Sequence, residues 1–310
     1  MDQFAAMHTF VKVVETGGFS EAARQLQMAV SSVTRQVNAL EGMLNTQLLN
    51  RSTRSITLTP QGHKYYEKAV RILQDVEEAN QCVAESEDVP RGLLQVSLPV
   101  AFGRIHVAPI LTDFLAQYPA VKLNLRFIDT LSNPVEEELD IVIRIGNLER
   151  SGANLIVRKL ASHTRFVCGS PSYFKQYGKP KHPEELAHHN CLLFKYFTGY
   201  DVWRFQRDTD IFEVKVSGSL VANNSEVLRQ VCLDGAGIIV MPTWLIGEDI
   251  RAGRLQAVLT DFQVHPQSDI DMGIYALYLP NRRHSVRVKT FIDFLIKRFG
   301  DRPYWEATLI

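Results

Sequence analysis

The chain has 310 residues, 45% of them hydrophobic and 22% charged, which excludes a disordered or fibrous protein and leaves room for two or three domains. Lys plus Arg and Asp plus Glu are equal at 34 each, so the overall charge names no acidic or basic partner and any nucleic-acid footprint must be local. The four cysteines are far apart and form no CxxC pair, and neither a basic-then-apolar leader nor a run of about 18 apolar residues occurs; these features point to a reducing, cytoplasmic setting without a membrane partner.

From the N-terminus, Phe4, Met7, Val11 and Val14 recur at three and four, the period of an amphipathic helix, and Gly17 and Gly18 supply its stop. Ser20 stands where the N-cap of a second helix belongs, with Glu21 in its first turn and Ala22, Ala23 and Leu26 as its apolar face. After a brief turn, Val33, Val37, Leu40 and Leu44 form a narrow apolar stripe, and Ser31, Arg35, Asn38 and Gly42 lie opposite, flanked by Thr34. Three short helices with a tight turn between the last two have the shape of a helix-turn-helix, whose final helix puts its first turns against base edges in the major groove. Arg24, Arg35, Arg51, Arg54, Lys64, Lys68 and Arg71 face only Glu21, Glu41 and Glu67 in this region, a net of plus four that an ordinary solvated surface also produces.

Two extended runs, "QLLNR" at 47–51 and "SITLT" at 55–59, read as a β-hairpin wing with Arg51 and Arg54 at its tip. There a guanidinium reaches phosphate or the minor groove; the alternative is a pair of plain exposed arginines. Thr59 and Pro60 form an N-cap and first-position pair that opens a long helix to about residue 87. Within it Tyr66, Ala69, Leu73, Val76, Asn80 and Val83 make a heptad seam, which asks for a partner helix or, equally well, packs on the first domain. "SEDVPRG" at 86–92 breaks the period and reads as a hinge.

Beyond the hinge, strand 93–98, helix 104–118, strand 121–129, a short helix near 135–139 and strand 140–146 form a βαβαβ series, the mark of a mainly parallel sheet. "LIVRKL", "RFVCGS", "CLLFKYF" and "FEVKVSGSLVAN" follow as strands, then a capped helix at 225–235, strands 237–242 and 273–280, and helix 285–299. Two strand series in more than two hundred residues imply two α/β lobes with a ligand cleft between them.

"GGFSEAARQLQMAVSSVTRQVNALE" followed by "LLNRSTRSITLTPQG" resembles the N-terminal winged helix-turn-helix of LysR-type transcriptional regulators, and the resemblance covers essentially the whole chain. "DIVIRIG", "NNSEVLRQVCLDGAGIIVMPTWLIGEDIRAGRLQAVL" and "FIDFLIKRF" resemble the family's effector-domain segments. The resemblance implies a DNA-binding domain at 1–59 and a dimerising linker helix at 60–87. It further implies an effector-binding domain at 88–310, shaped like a periplasmic solute-binding protein, with lobe one at 93–162 and 267–300 and lobe two at 163–266. The partners implied are double-stranded operator DNA, a small-molecule effector and further copies of the chain in a homodimer or homotetramer, with no cofactor and no membrane.

On that reading, the DNA-binding residues are Ser20, Val30, Ser31, Ser32, Thr34, Arg35, Asn38, Arg51 and Arg54. Many family members open the recognition helix with serine, glutamine and proline, where this chain has Ala29, Val30 and Ser31; Ser31 or Ser32 is then the replacement cap, and Val30 a contact for a thymine methyl. The effector candidates are Pro99, Val100, Phe102, Thr130, Gly146, Phe197 and Asn224, each with plain lobe packing as its alternative. The family often places a serine or threonine after the first strand of this domain; "SLPVAFGR" leaves only backbone N–H groups near Phe102 and Gly103 for an acid and suggests a less polar or aromatic ligand.

Two rival readings are weaker. An enzyme would rest on "HHNC" at 188–191 or "VCGSPS" at 167–172, but no second ligand cluster stands near the first, the second lacks a GxSxG elbow, and no phosphate loop or HExxH occurs. No catalytic residue and no metal ligand is therefore assigned. A plain solute-binding protein would need an export signal and leaves the first ninety residues without purpose.

Overall fold

In the computed structural model, which describes residues 2–51, 56–83, 89–129, 139–146, 148, 155–195, 201–265 and 273–306, Asp2 opens the first helix, α1 (Gln3–Thr16), by accepting from the N–H groups of Phe4 and Ala5 at 3.0 and 3.2 Å. Gly17 closes it in the left-handed conformation at φ 72°. The buried face runs through Ala6, Met7, Phe10, Val11 and Val13, with Val14 packed against it; of the four apolar residues expected there, Phe4 alone is exposed. Helix α2 (Phe19–Gln25) is capped by extended Gly18, not by Ser20, which lies within its first turn. The turn to α3 (Val30–Met43) passes through Gln27 at φ 54° and closes with Met28 N–H donating to the Ala23 carbonyl at 2.9 Å.

Strands β1 (Leu49–Arg51) and β2 (Ile56–Leu58) pair antiparallel, Leu49 opposite Leu58 and Arg51 opposite Ile56. They are shorter than the sequence suggested because Gln47 and Thr59 are used otherwise: the Thr59 hydroxyl donates to the Gln47 carbonyl at 2.8 Å and accepts from Gly62 N–H at 2.9 Å. Thr59 thus caps α4 (Pro60–Val83) as anticipated; residues 84–88, into which that helix was expected to run, lie outside the described residues. The core of this unit, Met1–Asp88, joins α1, α2, α3 and the first half of α4, with Phe10 against Tyr65 and Tyr66 edge-on at 5.7 and 6.4 Å.

The second unit, Val89–Ile310, holds two groups of sheets. The first is β3 (Gly92–Leu98), β4 (Val121–Phe127), β5 (Ile141–Ile145), β6 (Ile156–Ser162) and β15 (Gly273–Tyr278), in the order β4-β3-β5-β15-β6. Strand β3 runs parallel to β4 and β5, but β15 is antiparallel to both neighbours, so the sheet is mixed rather than mainly parallel. The chain leaves this sheet on the edge strand β6 and returns on β15, which inserts between β5 and β6 and alone runs against its neighbours. Helix α10 (Val286–Phe299) covers this sheet.

Elsewhere in the unit, β7 (Arg165–Gly169) lies between β12 (Ile238–Pro242) and β13 (Gln256–Val258), both antiparallel to it. Short β8 (Leu193–Phe194) pairs with β11 (Val221–Ala222), and β9 (Val202–Arg207) lies between β10 (Asp210–Lys215) and β14 (Gln263–His265). Helices α7 (Pro171–Tyr177), α8 (Ser225–Leu233) and α9 (Thr243–Arg251) pack around these strands. "FEVKVSGSLVAN" is therefore two strands of different sheets, and β9, β13 and β14 were not anticipated. Cys168, Cys191 and Cys232 are free and buried.

Candidate nucleic-acid interface and interlobe cleft

Helix α3 has a sharply divided surface. Val33, Val37 and Leu40 are wholly buried, whereas Ser31, Arg35 and Asn38 are exposed and Ser32 and Thr34 half-buried at the margin. Ala29 occupies the cap position without a side-chain hydrogen bond, so neither Ser31 nor Ser32 caps the helix; both lie inside its first turn beside Val30, itself 45% exposed. Thr34 donates its hydroxyl proton to the Val30 carbonyl at 2.9 Å, which leaves its oxygen as an acceptor. Of the basic residues counted in the sequence, Arg24 is tied to Glu21 at 3.1 and 2.6 Å, and the pairing raises the guanidinium pKa and lowers that of the carboxyl.

The wing is held to α3 by Glu41, a residue the sequence reading had counted only as a charge. Its carboxylate accepts from the N–H groups of Leu48 and Leu49 at 2.8 and 3.0 Å. Leu48 in turn accepts from Thr59 N–H at 2.9 Å, and its carbonyl abuts Gly62 so closely that a Cβ there would stand 2.0 Å from the oxygen. The threonine and glycine of "LTPQG" are explained by this junction. Arg51 ends β1; Arg54 lies outside the described residues.

In the second unit, Pro99 leads into a continuous helical stretch that begins four residues earlier than expected: α5 (Val100–Phe102), a wide turn over Gly103–Val107, a tight turn over Ala108–Ile110, and α6 (Leu111–Gln117). This early start removes two expectations. Phe102 is fully buried, its ring 5.5 to 6.0 Å from those of Trp244, Phe299 and Trp305, so it is core rather than cleft lining. Gly103 N–H is spent on the Pro99 carbonyl at 2.8 Å, and the Val100 N–H donates to the Asp129 carboxylate at 2.9 Å. Pro99 and Val100 themselves remain half-exposed.

Gly146 ends β5 at φ +85°, its N–H bonded to the Gly273 carbonyl and open space where a Cβ would project. Asn224 caps α8, its side-chain oxygen accepting from Glu226 and Val227 N–H at 3.0 Å each. Arg104 and Glu226 form an ion pair that brings the start of the helical stretch of the first sheet group together with the first turn of α8 in the second. Asp129, Arg104 and Glu226 were missed by the sequence reading; only the charge of each marked them, without a pattern. Thr130 and Phe197 lie outside the described residues.

Where an enzyme reading had pointed, the chemistry is inert. Burial pushes the Cys191 thiol up to about 12, the Cys168 thiol is likewise raised, and His189 meets Tyr173 at 3.2 Å. Among the described residues, no group of three or more His, Cys, Asp or Glu is placed to hold a metal, and no helix is long and apolar enough to cross a membrane.

A three-helix reader with a wing, followed by a two-lobed α/β unit, is the architecture of a ligand-responsive DNA-binding regulator. Residues 4–63 match the family described as bacterial regulatory helix-turn-helix protein, lysR family, and residues 87–300 match the LysR substrate binding domain. The chain belongs to the LysR family of transcriptional regulators, with a helix-turn-helix DNA-binding domain and an effector-binding domain, and not to a family of enzymes. It is 34% identical to the HTH-type transcriptional regulator DmlR of Escherichia coli over 95% of this chain and 94% of that one. With the HTH-type transcriptional regulator CrgA of Neisseria meningitidis serogroup C it shares 36% identity over 94% of this chain and 95% of that one. The solved structure of CrgA from Neisseria meningitidis superposes with a TM-score of 0.60 at 33% identity, covering 96% of this chain and 99% of the other.

Proposed function

We propose that this regulator reads operator DNA with the first turns of α3 in the major groove, with Val30, Ser31, Ser32, Thr34, Arg35 and Asn38 toward the bases. Ser20, exposed in the first turn of α2, and the wing arginines Arg51 and Arg54 hold the phosphate backbone. The observation that carries this reading is the division of α3: an unbroken buried stripe on one side and an exposed strip of small donors and one guanidinium on the other. Small side chains allow the helix backbone to approach the groove closely, and Val30 offers a methyl surface to thymine.

A small-molecule effector binds between the lobes of residues 88–310, lobe one being 93–162 with 267–300 and lobe two 163–266, near Pro99, Val100, Thr130, Gly146, Phe197 and Asn224. Residues 1–59 form the DNA-binding domain and 60–87 the linker. In the seam of α4, Ala69 is buried in the first domain while Val76 and Asn80 are exposed, which supports assigning the distal part of the seam to a partner copy. The assembly is a cytoplasmic homodimer or homotetramer.

The test is binding of the purified protein to its own upstream DNA as salt is raised. Affinity should fall steeply through the phosphate contacts, Arg51→Ala should weaken all sequences alike, and Arg35→Ala or Thr34→Ala should reduce preference for the operator over random DNA. No binding at low salt overturns the reading.

A further inference from the structure

After α10 the chain turns at Gly300 and runs back over the second unit, and each of residues 304 to 306 makes a contact away from its own helix. The Tyr304 hydroxyl meets His106 Nδ1 at 2.5 Å, and His106 Nε2 lies 2.8 Å from the Trp244 carbonyl. A carbonyl only accepts, so His106 carries its proton on Nε2, and Nδ1 accepts from Tyr304. One imidazole thus joins the helical stretch of the first sheet group to α9 of the second and to the chain's end.

Trp305 is 2% exposed and donates Nε1–H to the Ser162 carbonyl at 3.1 Å, at the last residue of β6. Its ring lies 4.7 Å from His106, 5.3 Å from Phe299 and 6.0 Å from Phe102. Glu306, also buried, accepts from Thr164 N–H at 2.6 Å, from the Thr164 hydroxyl at 3.2 Å and from the Thr243 hydroxyl at 2.5 Å. Residues 163 and 164 are the whole connection from β6 to β7, where the chain passes from one sheet group to the other, and Thr243 is the first residue of α9. The same two threonines are joined again by Thr243 N–H to the Thr164 carbonyl at 2.8 Å.

We propose that residues 301–306 are a strap that fixes the angle between the two lobes, with Trp305 as its anchor in the first lobe and Glu306 as its buckle on the crossover and α9. A carboxylate carried on the tail of α10, which covers the first sheet group, and bound by three donors from the crossover and from the start of α9 must lose hydrogen bonds if the lobes rotate about that crossover, because Trp305 keeps the same tail fastened to Ser162, Phe102 and Phe299 of the first lobe. Any change of lobe angle therefore proceeds through release of the strap. This holds whether or not an effector occupies the cleft, so the test below needs none.

The experiment uses the full-length protein carrying nitroxide labels at Lys289→Cys on α10 and Lys175→Cys on α7, both exposed, diluted with unlabelled chain so that distances within one subunit are read. Two variants are compared with the parent: Glu306→Gln, which removes the charge, and Thr243→Val, which removes one donor to Glu306 together with that hydroxyl's own contacts to the Thr164 N–H at 3.2 Å and carbonyl at 3.1 Å. Each is expected to broaden the lobe-to-lobe distance distribution to about twice its width, and the two together no further, because both act by releasing the Glu306 carboxylate from the same site. Amide exchange at residues 164–166 and 243–245 is expected to rise about tenfold while residues 141–145 and 238–241 keep their rates. If Glu306→Gln does not fold, Thr243→Val carries the test alone. A distance distribution of unchanged width in the folded variants overturns the proposal, even with faster exchange, since the tail then merely caps α9.

Discussion

The strongest pH dependence of the second unit is expected from two buried imidazoles. His163 is 3% exposed and neither ring nitrogen has a hydrogen-bond partner among the described residues; burial first, then the charges of Arg165 and Lys159, push its pKa down to about 3. His106, 4% exposed, is pushed down to about 4 by burial, against the opposing pull of the Trp244 carbonyl. In the unfolded chain both return to about 6.5. As pH falls below 6.5 the unfolded state takes up protons that the folded state refuses, so stability is complete above about pH 7 and is lost as the pH drops toward the folded values. Between pH 7 and pH 5 each imidazole removes about 2 kcal/mol of stability. All three tryptophans, Trp203, Trp244 and Trp305, lie in Val89–Ile310, so urea unfolding followed by tryptophan fluorescence reports this unit alone. His163→Leu is expected to remove about half of the loss between pH 7 and pH 5, since an apolar side chain of similar bulk suits a site without polar partners. A variant whose stability falls with acid as steeply as the parent's would refute the reasoning, because His163 would then not be held neutral in the folded state.

Other substitutions test other joints. Ala29→Ser should supply the cap α3 lacks and stabilise the first unit by about 1 kcal/mol in thermal unfolding followed by circular dichroism. Gly62→Ala must displace the Leu48 carbonyl; we expect a loss of about 3 kcal/mol in the first unit and of DNA binding, with the tryptophan-detected unfolding curve unchanged. Asp249 is fully buried and accepts from Arg229 at 2.5 and 2.8 Å and from Arg254 at 2.8 Å; Asp249→Ala should cost about 1 to 3 kcal/mol in that same urea assay, because the partly buried Arg229 loses two charge-assisted hydrogen bonds, whereas the exposed Arg254 keeps Glu248 at 3.6 Å.

What the sequence disclosed depends on how far along the chain each cause lies. Helix α3 was legible because its buried and exposed faces alternate at one local period, and the Thr59–Pro60 start of α4 because cap and first position are adjacent. Ser20 was misread as a cap because Gly18, which carries no side-chain signal, takes that place in extended backbone. Phe102 was misread as lining because its burial depends on Trp244, Phe299 and Trp305, more than a hundred residues later. Asp129 and the pair Arg104–Glu226 share the same obscurity: an ion pair across 122 positions leaves no spacing to recognise. The reversed strand β15 was hidden for the related reason that strand direction is set by the path of the chain between lobes, not by the residues of the strand.

The junction at Leu48 bears on how a signal can reach the DNA-reading surface. Its N–H is held by Glu41 of α3, its carbonyl takes the Thr59 N–H, and that carbonyl fills the space beside Gly62 in the first turn of α4. Three elements are thus fastened to one residue: the recognition helix, the wing and the linker helix. With Val33, Val37 and Leu40 fully buried in the same core as Ala69 of α4, no one of the three can tilt without breaking hydrogen bonds or opening that core. A displacement carried along α4 therefore moves α3 and the wing together as a rigid reader. On the proposed oligomeric reading, regulation in such a molecule alters the spacing between readers of neighbouring subunits and leaves unchanged which bases each reader prefers, so effector binding should change the favoured half-site spacing while Arg35→Ala changes sequence preference at every spacing.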